Sequence, residues 1–66
     1  MKTVSQCKDI VELIIGLEAE ELKVNTMEEL ERVKDLCRKL SSSQGFYGRM
    51  LRDLQEVDEY DLPIVL

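Results

Sequence analysis

Apolar residues recur at helical spacing through most of this chain. Val4, Cys7, Ile10, Val11, Leu13, Ile14, Ile15 and Leu17 cover an arc of about 200° when successive residues are turned by 100°. This pattern predicts a first helix over residues 4–22, with Thr3 or Ser5 as its N-cap, since either hydroxyl can accept a first-turn amide. An apolar arc this wide exceeds what one neighbouring helix covers. The first helix is therefore expected to pack against two partners, one of them from another subunit. Gly16 falls on the opposite, polar side, where it only weakens the helix.

The pattern breaks at Asn25-Thr26, and Thr26 with Glu29 matches a capping box. A second helix over 27–40 follows, with Leu30, Val33, Leu36, Cys37 and Leu40 as its apolar stripe. Glu28, Glu31, Arg32, Lys34, Asp35, Arg38 and Lys39 are expected to face water. Acids open this helix and bases close it, as the macrodipole favours. Ser41-Ser42-Ser43 is long enough only for a tight connection, so the second and third helices should form an antiparallel hairpin. The third helix is predicted over 44–58, with Phe46, Met50, Leu54 and Val57 as core and Tyr47 and Leu51 flanking. Pro63 stops any helix beyond it, leaving residues 59–66 as an extended apolar tail. Ile64-Val65-Leu66 either caps its own bundle or lies in a groove of a second subunit. The expected fold is all-α, a small three-helix protein.

Length and charge narrow this further. The chain has 66 residues, enough for one helical domain that buries only about 60% of its unfolded surface. Chains of this size commonly add disulfides, a metal or a second subunit. Two cysteines far apart, Cys7 and Cys37, and no histidine argue against the first two. A homo-oligomer is the default, without metal or cofactor. A formal charge of −5, with acids and bases interspersed, does not suit a nucleic-acid-binding surface. No run approaches the ~20 apolar residues of a membrane span and no signal peptide is evident, so a cytoplasmic protein is expected.

Candidate chemistry concentrates between Ser41 and Arg49. Those nine residues hold three of the four serines, two of the three glycines and two of the three aromatics. A helix start offers bare amides to an anion. Ser42 and Ser43 add hydroxyls, Arg49 a planar fork suited to phosphate or carboxylate, and Tyr47 a ring to set against a base. On the wheel Gly45 and Gly48 lie beside Arg49 and Arg52, away from the predicted core stripe. Three readings stay open: serine caps with solvated Arg49–Asp53 and Arg52–Glu56 pairs, a subunit contact through the glycines, or a small anionic ligand. The ligand site would comprise Ser42, Ser43, Gly45, Phe46, Tyr47, Gly48, Arg49 and Arg52. Acidic runs at Glu18, Glu20, Glu21 and at Asp58, Glu59, Asp61 read as solvated surface, and both cysteines as small core residues. No nucleophile–base pair is present, so no catalytic residue is assigned and an enzyme is not expected.

Residues 43–54, Ser-Gln-Gly-Phe-Tyr-Gly-Arg-Met-Leu-Arg-Asp-Leu, resemble a segment in short orphan helical proteins of phages and mobile elements of Gram-positive bacteria. The resemblance implies an accessory protein that antagonises host antiviral defence. Two mechanisms follow from it. A sponge would sequester a small phosphorylated, nucleotide-like ligand between segments 41–49 of neighbouring subunits. An inhibitor would instead dock on a host defence protein through acidic helices and the apolar tail. A purely structural dimer is the third alternative.

Overall fold

Three short strands join the helices in one mixed sheet, so the fold is α and β together and not all-α. The computed structural model describes residues 2–40 and 45–66. Strand β1 (Lys2–Thr3) leads into a 3-10 turn (Val4–Gln6), helix α1 (Ile10–Glu18), strand β2 (Leu22–Val24) and helix α2 (Met27–Leu40). Helix α3 (Phe46–Leu54), a second 3-10 turn (Glu59–Asp61) and strand β3 (Ile64–Val65) complete the order. β2 is the middle strand. It runs parallel to β1, with Lys2 opposite Leu22, and antiparallel to β3, with Val24 opposite Ile64. A parallel pair cannot be joined by a tight turn, and the stretch holding α1 supplies the crossover. The expected tail is thus a strand of its own sheet, with the Leu66 amide donating to the Leu22 carbonyl at 2.8 Å.

The first helix is half the length its periodicity predicts, because Val4 and Cys7 are apolar without being helical. Both are buried in the core, at 0% and 4% exposure, but they lie in and just after the 3-10 turn. The N-cap of α1 is Asp9, whose Oδ1 accepts the Glu12 amide at 3.0 Å; Thr3 and Ser5 do not serve it. Glu12 reciprocates by accepting the Lys8 amide at 2.7 Å. The Lys8 amide outweighs desolvation and, with Lys2 nearby, holds the Glu12 carboxyl below its ordinary range. The helix ends at a Schellman turn. Glu20 donates to the Leu17 carbonyl and Glu21 to the Gly16 carbonyl, with Glu20 left-handed at φ 55°. Glycine is the usual residue at such a position. Glu20→Gly is expected to raise stability by about 1 kcal/mol, read as a higher urea midpoint at unchanged m-value.

That turn also gives Gly16 a place in the packing. It does not sit idle on a polar face: a Cβ there would come within 3.1 Å of Leu22 Cδ1. Leu22, fully buried, lies over the bare glycine backbone as the chain swings into β2. The absent side chain lets the strand approach the helix.

α2 spans the predicted residues, and at its start the Thr26 hydroxyl oxygen accepts the Glu29 amide at 3.2 Å. Glu29 does more than cap. Its Oε1 accepts from the Asn25 amide at 3.2 Å and the Thr26 hydroxyl at 3.3 Å, and its Oε2 accepts from the Ser5 amide at 2.9 Å. Burial pushes this carboxyl up, but the hydrogen bonds from Ser5, Asn25 and Thr26 outweigh it and the group titrates below its ordinary value. One turn on, Arg32 donates to the carbonyls of Val4 and Cys7 at 3.1 and 3.3 Å. Two residues expected to be capping and solvated surface therefore fasten the N-terminal turn to α2. Lys34, also expected in water, is buried, with its ammonium 3.4 Å from Glu31.

α3 packs against α2 and ends at Leu54, four residues short of the prediction. Leu54 is buried, and Tyr47, Met50, Leu51 and Val57 pack against the core, whereas Phe46 is 39% exposed. The buried face of α3 is thus turned from Phe46 toward Tyr47. Cys7 and Cys37 are free, buried thiols, as small core residues would be.

Candidate functional site

Ser42 and Ser43 lie outside the described residues, so the site is built here from Gly45 onward. Gly45 is the N-cap of α3, with extended backbone (φ −86°, ψ 169°) and no side chain to accept a first-turn amide. α1 and α2 begin on oxygen-bearing caps, Asp9 and Thr26; α3 begins without one. Its first-turn amides carry the partial positive charge of a helix start.

The structure divides the predicted residues between two directions. Tyr47 turns toward α1 and donates its hydroxyl to Glu18 Oε1 at 3.0 Å. Burial raises this phenol above its usual range, and the bond to the Glu18 carboxylate adds to the rise. Tyr47 ties α3 to α1 and is not free to contact a base. Phe46 meets the Tyr47 ring edge-on, with centroids 5.2 Å apart and planes at 78°, and looks the other way.

Phe46 and Arg49 line a cleft of about 260 Å³ with Met50, Asp53, Leu54, Glu20 and Leu66. Met50, Leu54 and Leu66 form its apolar floor, and charges of both signs stand at its rim. Arg49 and Arg52 are exposed, and neither makes an ion pair among the described residues. The Arg49–Asp53 and Arg52–Glu56 pairs, part of one of the three open readings, are thus not formed. Gly48 is half-buried, and Arg52 does not line the cleft.

Five of the seven residues lining the cleft, Glu20, Met50, Asp53, Leu54 and Leu66, lie outside the predicted site. Leu66 belongs to the apolar run Ile64-Val65-Leu66, expected to cap the bundle or enter a second subunit and not assigned to the site. Glu20 gave no signal: only the left-handed turn after α1 brings it to the rim. With this geometry in view, the chain matches no protein-family model, no curated protein and no solved structure.

Proposed function

We propose that this is a non-enzymatic binding protein that holds a small anionic, nucleotide-like ligand at the start of α3. The observation that carries the reading is the Arg49 guanidinium, exposed and without an ion pair among the described residues, one turn into a helix whose N-cap, Gly45, has no side chain to accept a first-turn amide. First-turn amides and Arg49 bind one phosphate. Phe46, exposed where Tyr47 is not, stacks on the base. Glu20 and Asp53 at the same rim accept the amino groups of a base and repel a second phosphate, so the preferred ligand carries a single one. The resemblance of residues 43–54 to short phage and mobile-element proteins supplies the setting, withdrawal of a nucleotide signal from host defence.

A panel of mono-, di- and cyclic nucleotides in a thermal-shift assay tests this. Ligand at ~100 times its Kd adds about 2.7 kcal/mol, a rise of at least ten degrees at roughly 4–8 °C per kcal/mol for a domain this small. Arg49→Ala should lose most of that rise. No rise with any member of the panel overturns the reading.

Docking on a host protein has one observation in its favour. Asp53, Glu56, Asp58, Glu59 and Asp61 form an exposed acidic run around Tyr60, which is 87% exposed. The apolar tail no longer supports docking, since it is β3 of the chain's own sheet.

A further inference from the structure

Six of the nine residues of α1 are aliphatic, and the fold covers only part of them. Leu13 and Leu17 are buried and Ile14 packs on the core, while Ile10, Val11 and Ile15 are 50%, 57% and 61% exposed. Spaced at i, i+4, Ile10 with Ile14 and Val11 with Ile15 make a ridge two residues wide. Grooves flank it. One, between α1 and α2, is lined by Ile10, Leu13 and Leu36; the other includes Ile15, Gly16 and Ala19.

We infer that this face is the contact between two copies of the chain, packed antiparallel along α1 about a two-fold axis. The charges around the ridge select that occupant. In the groove beside Ile10 stand Arg32 and Lys39 against Asp35; in the groove beside Ile15 stand Glu12 and Glu21 against Lys2. A two-fold axis through the middle of α1 sets the basic end of each copy on the acidic end of the other. A ridge between grooves matches itself under the same rotation. Lys39 and Glu21, neither ion-paired among the described residues, face each other across the contact. The ridge exposes roughly 300 Å² of apolar surface, against about 800 Å² per partner in a stable interface. Both grooves therefore belong to the contact. The contact does not depend on the α3 site.

Sedimentation equilibrium of the full chain from about 1 µM to about 1 mM, at low and high salt, tests the inference. The expected result is a reversible monomer–dimer equilibrium at both salt concentrations. Ile15→Arg should weaken dimerisation more than tenfold with an unchanged circular dichroism spectrum, since Ile15 is 61% exposed. Lys39→Glu should weaken it too, and Glu21→Lys added to Lys39→Glu should restore it. A monomer at every concentration and salt overturns the inference, as does a dimer indifferent to Ile15→Arg.

Discussion

Glu29→Ala is expected to destabilise the fold by about 3 kcal/mol, the scale of losing charge-assisted hydrogen bonds while leaving their donors unpaired. That is a large share of the roughly 3–10 kcal/mol available to a chain of this length. The loss has three parts. The Ser5 and Asn25 amides lose their acceptor, the Thr26 hydroxyl loses its partner, and the N-terminal turn is released from α2. The carboxylate also makes stability depend on pH. Its folded-state pKa lies below the unfolded one, so its contribution is complete above the unfolded value of about 4.3 and fades as pH falls through the folded value. Glu29→Gln should lower stability at pH 7 and flatten the acid limb of the stability–pH curve, the remaining slope coming in part from Glu12. Urea unfolding at a series of pH values measures both effects. A parallel downward shift at all pH values would show that the Glu29 carboxylate does not carry the pH dependence.

Leu22→Ala should cost about 3 kcal/mol, within the range for emptying a fully buried leucine site. The informative comparison adds Gly16→Ala. Alone, that substitution sets roughly 1 kcal/mol of helix propensity against a methyl 3.1 Å from Leu22 Cδ1. Leu22 is enclosed on all sides and cannot swing away, so the single variant is expected to lie near wild type. With Leu22 shortened, the same methyl enters vacated space. The double variant should then be more stable than Leu22→Ala by about 1 kcal/mol. A double-mutant cycle from denaturant midpoints gives the coupling. Strict additivity would show that Gly16 is not there to admit Leu22.

Local signals in the sequence are sound where a single element decides. Thr26-x-x-Glu29 marks the start of α2, and its apolar stripe marks the length. Asp9-x-x-Glu12 carries the same message for α1 and could have been read the same way. The extension of the first helix over Val4 and Cys7 fails because a buried 3-10 turn and a helix both space apolar residues three apart. The strands were beyond reach for a different reason. Leu22-Lys23-Val24 alternates buried and half-buried, but three residues cannot establish a period, and Leu17 to Leu22 can be counted as one more helical turn. What makes them a strand is pairing with residues about twenty and about forty positions away. The site was legible in part. The exposed arginines follow from local order, whereas the bond from Tyr47 to Glu18, 29 residues away, turns on tertiary packing.

The middle position of β2 has a consequence for how the fold assembles. Its two edges close loops of different size, residues 2 to 22 on one side and 23 to 65 on the other. The second loop is roughly twice the first, so closing it from the unfolded chain carries about 0.6 kcal/mol more entropy loss. The pairing of β1, α1 and β2 can form early as a near-local unit. β3 joins at lower entropic cost once α2 and α3 have shortened the path by folding on each other. The open side of β2 is therefore a template that β3 completes across the longer of the two loops.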